Sequence, residues 1–445
     1  MIKFFYDRRF LKNLAFLAVP IILNELLNSA VNMLDTFMIG TLGDAPVAAV
    51  GLGNQVFFLF TLIAFGINSG TAIFMGQFMG KNAMPDVHRT IGLSLILTFT
   101  AAVLFALAAF FIPDKIMSIY SKDSSVVALG CDYLRTIAFS YILTAIIIVF
   151  NSALKVTGNT LQPMMTTFIT FLINFTGNYV FILKMGLGVR GAALSTLIAR
   201  SCELILQFAI MAARKRTVLT LPKNYFSLSL SFCKPFVGVS LPVVINETVW
   251  ALGTSAYNIA YKFSGTVAQA AIQIASTVQS LFLVAGLGVG SACAIILSNT
   301  LGAGDKEKAL DYSKKCIFFG ILISIVMGCI LAFAAPFIVG IFNVDNLAKD
   351  YAYKMLLIVS VGMILKTITY ITICGILRSG GDTKFCLVLE SCSVWFIGLP
   401  MAFFGSAILC LPIYVTFAMV YVEELVKAVI SFKRVSANKW LRTLV

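Results

Sequence analysis

The segment Pro20-Ile-Ile-Leu-Asn-Glu25 returns almost unchanged as Pro242-Val-Val-Ile-Asn-Glu247. Each copy places a proline and a carboxylic acid inside a long apolar run. A repeat of this kind indicates a duplicated chain. An acid within a membrane-spanning segment is a candidate functional residue, because its desolvation is costly. The two hexapeptides therefore predict a membrane protein built from two similar halves, each with its own intramembrane acid.

The composition supports a membrane protein. The 445 residues are 60% hydrophobic and 12% charged, whereas about a quarter of a soluble domain is charged. Apolar runs of about 20 to 30 residues can each cross roughly 30 Å of hydrocarbon. A closed β-barrel would show short alternating segments instead. We therefore predict an all-α integral membrane protein with twelve transmembrane helices. The predicted spans are 14–38, 47–78, 91–112, 126–153, 163–184, 190–213, 236–258, 268–299, 316–341, 352–377, 385–406 and 408–431.

The repeat extends along the whole chain. Because each half has six spans, the two copies have the same orientation in the membrane. The sequence thus predicts two pseudo-symmetric six-helix lobes, an N-lobe at 1–213 and a C-lobe at 236–445 that ends in a short basic tail. A basic cytoplasmic linker at 214–235 would join them. The further matches are Gly66-Ile-Asn-Ser69 with Gly288-Val-Gly-Ser291, Gly80 with Gly302, and Leu154-Lys-Val-Thr-Gly-Asn-Thr160 with Leu377-Arg-Ser-Gly-Gly-Asp-Thr383.

The net charge of +14 does not indicate a nucleic-acid partner, because most lysines and arginines fall in loops on the side that holds both termini. This bias predicts a multi-pass protein of the plasma (inner) membrane, surrounded by the lipid bilayer, with both termini in the cytoplasm. We expect it to be monomeric. The ten cysteines have no metal-ligand spacing, and His88 is the only histidine. We therefore expect no zinc site, no Ser-His-Asp triad, no cofactor and no enzymatic activity.

Polar residues in the N-terminal half could form a cation site. Asp35 lies in the first span, Asn174 and Asn178 share one face of the fifth because they are four residues apart, and Thr196 lies in the sixth. Amides within spans often only hold helices together. Gathered around an acid, they would instead form an oxygen-rich site for a proton or Na⁺.

The C-terminal half offers a different set. Glu247 has no acid or base within one turn, so it is a candidate for binding a proton or a cationic substrate, and Glu25 is its counterpart in the first half. Lys366 is the other lone intramembrane charge of the second half. We expect a Glu247–Lys366 contact, because buried charges are usually paired. Tyr257 could contact flat cations through its ring.

Three further expectations concern neighbouring residues. Pro20 and Pro242 should bend their helices, since proline removes one backbone hydrogen bond. Each bend could serve a conformational change or be a static kink. Arg200 and Glu203, three residues apart, should neutralise each other, and Glu390 should reach towards the cytoplasmic surface.

These motifs resemble the multidrug and toxic compound extrusion (MATE) transporters over essentially the whole chain. The resemblance is carried by Pro20 with the later Asp35-Thr-Phe-Met-Ile-Gly40, by Gly80, and by the repeated Leu-basic-x-x-Gly-x-Thr segments. It implies that Asp35, Asn174 and Thr196 belong to an N-lobe cation site and that Glu247 is the acid of helix seven. Two positions depart from the family: Asn178 stands where some members have aspartate, and Lys366 occupies helix ten, where one branch has an acid.

The resemblance implies a secondary active antiporter. It would export small organic compounds, cationic and amphipathic, in exchange for inward Na⁺ or H⁺. A lipid-linked oligosaccharide flippase of the same superfamily is the alternative, for which Arg200 and Lys366 are the only hints of a cationic cavity. A channel would transport only downhill. An intramembrane enzyme would need a nucleophile–base pair or clustered histidines, which the spans lack.

Overall fold

The structure, a computed structural model, describes residues 7–213, 218–219, 225–342 and 344–445. Within these ranges the chain is almost entirely helical and contains no strand. A short helix, Pro113–Tyr120, joins α3 to α4. The long helices are α1 Arg8–Gly40, α2 Asp44–Gly80, α3 Met84–Phe111, α4 Ser124–Val156, α5 Leu161–Lys184, α6 Gly188–Ala213, α7 Leu230–Ser264, α8 Thr266–Gly302, α9 Lys306–Ile341, α10 Asn346–Gly380, α11 Thr383–Ile408 and α12 Ile413–Ser436.

Helices α1 to α11 are long and apolar enough to cross a membrane. The twelfth carries three charged residues in its middle, Glu423, Glu424 and Lys427. Each predicted span overlaps one of these helices, and most helices extend several residues beyond the predicted limits. The predicted all-α fold of twelve helices in two six-helix halves is confirmed.

The chain forms two compact units. The C unit comprises Met1–Ile22, Gly76–Asn82 and Ile245–Val445, and the N unit comprises Leu23–Met75 and Ala83–Val244. The lobe limits at 213 and 236 stay a prediction, because these units follow compactness and not the repeat. The predicted linker at 214–235 lies partly outside the described residues.

Equivalent glycines explain why α1 and α7 each divide between the units. In the N unit, a Cβ on Gly66 would lie 2.7 Å from the Cα of Val244, so α2 meets the first part of α7. In the C unit, a Cβ on Gly288 would lie 2.3 Å from Cγ1 of Ile22, so α8 meets the first part of α1. Gly66 and Gly288 occupy the same position of the repeat. The first part of each leading helix therefore packs against the second helix of the other repeat.

Each unit has its own apolar core. In the N unit, Phe60 and Tyr141 stack with ring centroids 5.6 Å apart among the residues of α2 and α4. In the C unit, Phe10 of α1 packs with Phe319 of α9 and with residues of α8.

Candidate cation site and buried ion pairs

The four residues predicted to form a cation site come together in the N unit. Nδ2 of Asn178 donates to Oδ1 of Asp35 and also to Oδ1 of Asn174, the latter at 3.2 Å. Nδ2 of Asn174 lies 3.4 Å from Oγ1 of Thr196. Asn174 and Asn178 are buried, whereas Asp35 is half-buried. The structure thus links helices α1, α5 and α6 through one chain of carboxylate, amide and hydroxyl groups.

The local backbone accounts for this arrangement. Oγ of Ser195 donates to the carbonyl of Asn174 at 2.8 Å, and a Cβ on Gly177 would lie 2.5 Å from that same hydroxyl. The glycine therefore lets α5 and α6 approach closely, which brings Thr196 beside Asn174. Asn178 directly precedes a π-helical turn, Tyr179–Lys184. Such turns are frequent at functional sites.

Asp35 differs from the other described intramembrane acids in that its hydrogen-bond partner is a neutral amide and not a base. Among the described residues, no lysine or arginine lies within ion-pair distance of its carboxylate, and its hydrogen bond comes from an amide. Arg200, on α6, is paired with Glu203 at 2.8 Å, which confirms the expected neutralisation. The four residues together contain a carboxylate, two amide oxygens and a hydroxyl oxygen, and hard cations prefer oxygen ligands of these kinds.

Glu247 of the C unit has a base as its partner, and the expected Glu247–Lys366 contact is wrong. Oε1 of Glu247 lies 3.0 Å from Nη2 of Arg378, and the same nitrogen lies 3.2 Å from Oε2 of Glu390. Lys366 precedes Arg378 by about 18 Å along α10, so it lies at a different depth from Glu247. The tenth predicted span ended at residue 377 and so left out Arg378, but Arg378 ends a helix and is only 3% exposed.

The prediction for Glu390 is also wrong. Its carboxylate does not extend to the surface, because it contacts Arg378 and accepts a hydrogen bond from Nδ2 of Asn246. Arg378 follows a π-helical turn at Ile371–Leu377. Sequence reasoning missed this group because an arginine at a helix end resembles a loop residue. The signal was present in the repeat, where Arg378 aligns with Lys155.

A second group of charges in the C unit was not predicted. Nζ of Lys427 lies 2.5 Å from Glu423 and 2.9 Å from Glu424, all on α12. The hydroxyl of Tyr257 donates to Glu423. Nζ of Lys366 lies 5.5 Å from the centre of the Tyr421 ring. The spacing of two acids three and four residues before a lysine was the signal in the sequence.

The remaining predicted residues have other partners or positions. Glu25 pairs with Lys155 at 3.5 Å, and its side chain is 41% exposed. Pro20 lies inside α1, and Pro242 lies inside α7. Tyr257 also stacks on Tyr261, with ring centroids 6.3 Å apart. Each predicted substrate or proton residue therefore has a protein partner.

Comparison with known proteins agrees with this architecture. The model of the MatE family matches residues 20–180 and again residues 243–404. The two matches together cover most of the chain, so the protein belongs to the MatE family of membrane transporters. They also confirm the duplication, since the same family model fits each half.

Relatives extend over nearly the full length. The chain is 26% identical over 399 residues to the probable multidrug resistance protein NorM of Thermotoga maritima, covering 88% of the chain and 85% of that relative. It is 22% identical over 429 residues to the uncharacterized transporter YisQ of Bacillus subtilis, covering 95% and 93%. A solved structure, the outward-facing conformation of a multidrug resistance MATE family transporter of the MOP superfamily, shares the fold with a TM-score of 0.88 at 20% identity over 96% of each chain.

Proposed function

We propose that the protein is a secondary active antiporter. It exports small organic compounds, cationic and amphipathic, in exchange for inward Na⁺ or H⁺. The observation that carries this proposal is Asp35, an intramembrane carboxylate whose hydrogen-bond partner is an amide and which has no base at ion-pair distance among the described residues. Family membership and the multidrug resistance names of the relatives support export of organic compounds.

The chemistry of the site favours reversible binding of a monovalent cation. A buried charge is costly unless it is paired. No base among the described residues pairs with Asp35, so a proton or Na⁺ would supply the missing positive charge, with Asn174, Asn178 and Thr196 offering neutral oxygens. Binding must stabilise one conformation more than another to drive transport. Ion and substrate then compete by favouring different conformations.

Other residues take supporting roles in this proposal. Glu247, Glu25, Lys366 and Tyr257 are candidates for contacting substrate or a proton, and each would first have to leave its present partner. Pro20 and Pro242 permit α1 and α7 to bend. The protein would act as a monomer in the plasma membrane with both termini in the cytoplasm, without a cofactor other than the coupling ion.

The test uses inside-out membrane vesicles that contain the full chain. Ethidium, a fluorescent organic cation, is added while a Na⁺ gradient or a pH gradient is imposed separately. We expect one of the gradients to drive accumulation, which would also name the coupling ion. Asp35→Asn should abolish this accumulation, and its matched control is Asp114→Asn, which removes a charge from an acid whose side chain is 69% exposed.

Two results would contradict the proposal. Accumulation that ignores both gradients would exclude an antiporter for this cation. Movement of a lipid-linked oligosaccharide across the bilayer, without transport of organic cations, would favour the flippase.

A further inference from the structure

The acids that close the two repeated hexapeptides have equivalent partners. Glu25 lies 3.5 Å from Lys155, and Glu247 lies 3.0 Å from Arg378. Lys155 and Arg378 are themselves equivalent, since each is the second residue of the repeated Leu-basic-x-x-Gly-x-Thr segment. One ion pair is therefore present twice, built from two separate stretches of the repeat.

The asparagine before each acid repeats the pattern. Nδ2 of Asn24 donates to Oγ1 of Thr167 at 3.0 Å, and Nδ2 of Asn246 donates to Oε2 of Glu390. Thr167 and Glu390 occupy the same position, about two helical turns after the threonine that ends the repeated segment. Each Asn-Glu pair thus joins the first helix of its repeat to the fourth and fifth helices of that repeat. In the first repeat these are α1, α4 and α5, and in the second they are α7, α10 and α11.

These contacts lie just beyond the point where each helix changes unit. Helix α1 passes from the C unit to the N unit after Ile22, and α7 passes from the N unit to the C unit after Val244. Pro20 and Pro242 each lie two residues before that point. Because proline removes a backbone hydrogen bond, the helix is weakened there. The asparagine and acid that follow bind the helix to the unit that it has entered.

We propose that these contacts are two copies of one clamp: Glu25–Lys155 with Asn24–Thr167, and Glu247–Arg378 with Asn246–Glu390. The clamp fixes the helix segment beyond the proline, so that bending is confined to the proline itself. Lys155 and Arg378 are positioning residues. The inference rests on the transport function proposed above, but it replaces the substrate or proton role considered there for Glu25 and Glu247 with a role in holding helices.

The two copies differ in strength. In the N copy, the side chains of Lys155 and Glu25 are 24% and 41% exposed, and Thr167 is neutral. In the C copy, Arg378 is buried and contacts two carboxylates. The protein covers the N copy only in part, whereas it largely encloses the C copy. The N copy is therefore better suited to charge reversal, because variants at a partly exposed pair disturb folding less than variants at a buried pair.

Charge reversal in the N copy separates a clamp from a substrate site. Glu25→Lys and Lys155→Glu should each lower the maximal rate of ethidium transport several-fold without changing KM, and the double variant should restore the rate. The control is the similarly exposed pair Asp86–Arg89, whose reversal should leave transport unchanged. A double variant that stays inactive, or a raised KM with Glu25→Lys alone, would overturn the clamp.

A second measurement does not depend on transport. Backbone hydrogen exchange of the purified protein should increase at residues 23–40 in Glu25→Gln/Lys155→Gln and at residues 245–264 in Arg378→Gln, while residues 8–19 stay protected. Unchanged exchange beyond both prolines would refute the clamp. If the wild-type protein transports no cation but exchange changes as expected, the proposed function fails and the clamp stands.

Discussion

Asp35 and Tyr257 occupy the same position in the two repeats, since both follow the proline of their hexapeptide at the same distance. In the N unit this position supplies a carboxylate that accepts a hydrogen bond from Asn178. In the C unit it supplies a hydroxyl that donates to Glu423, a carboxylate already bound by Lys427. Within the described part of the chain, Asp35 therefore has no basic partner, whereas Glu423 has Lys427.

The amides of the cation site are absent from the second repeat as well. By the alignment that relates Lys155 to Arg378, Asn174 and Asn178 correspond to Ile397 and Met401. A cation that enters beside a paired acid must displace the internal base, whereas a cation that enters beside Asp35 displaces none. The clamp is present in both halves, whereas an acid without a basic partner among the described residues, Asp35, is present in the first half. We therefore expect ion coupling only in the N-terminal half.

Of the substitutions considered, replacing Asp35 should have the largest effect on transport. Asp35→Asn keeps the size of the side chain and its place beside Asn178 but removes the charge. We expect gradient-driven ethidium transport to fall to background while expression and detergent stability stay at wild-type levels. Transport assays with equal amounts of purified protein check this. Normal coupled transport by the variant would show that the ion binds elsewhere.

Replacing Arg378 should lower the stability of the protein, because Glu247 and Glu390 both depend on this base. Arg378→Gln leaves Glu247 and Glu390 in a poorly hydrated site without a base, and removing one partner of a buried pair costs about 3 to 5 kcal/mol. Thermal unfolding in detergent should show a large fall in the midpoint. Arg190→Gln is the control, because Arg190 pairs with Asp132 at an exposed position. Equal midpoints for both variants would contradict the difference in burial.

Much of the fold and part of the site could be predicted from the sequence. The helices α1 to α11 followed from the length of the apolar runs, because a helix must be that long to cross the bilayer. The residues of the candidate cation site could be named because Asn174 and Asn178 share a helix face and Asp35 lies in a motif that resembles the family's first helix. The partners of Glu247 could not be read from span limits, since which helix ends meet depends on tertiary packing. Arg378 became predictable only through its equivalence to Lys155, which requires the second repeat to be aligned beyond the hexapeptide.

Replacing Tyr257 should have a smaller effect. Tyr257→Phe removes the hydroxyl that donates to Glu423, and a hydrogen bond to a charged group contributes about 1.5 to 3 kcal/mol. Because Lys427 still holds Glu423, we expect a modest loss of unfolding free energy with gradient-driven transport retained. The measurements are thermal unfolding and ethidium uptake. Loss of coupled uptake without loss of stability would instead place Tyr257 in the transport path.

Replacing Lys155 should give the smallest change in stability, and it compares the two clamp copies directly. Lys155→Gln and Arg378→Gln alter the same position of the repeat. Exposed ion pairs contribute about 0.2 to 1 kcal/mol, so the N-copy variant should unfold within that margin of wild type. The salt dependence of stability distinguishes the two copies further, because salt screens exposed charges far more than buried ones. Raising the ionic strength should abolish the effect of Lys155→Gln and leave that of Arg378→Gln largely intact. Equal salt sensitivity would mean that the C copy is hydrated, and the argument that its base excludes an external cation would then fail.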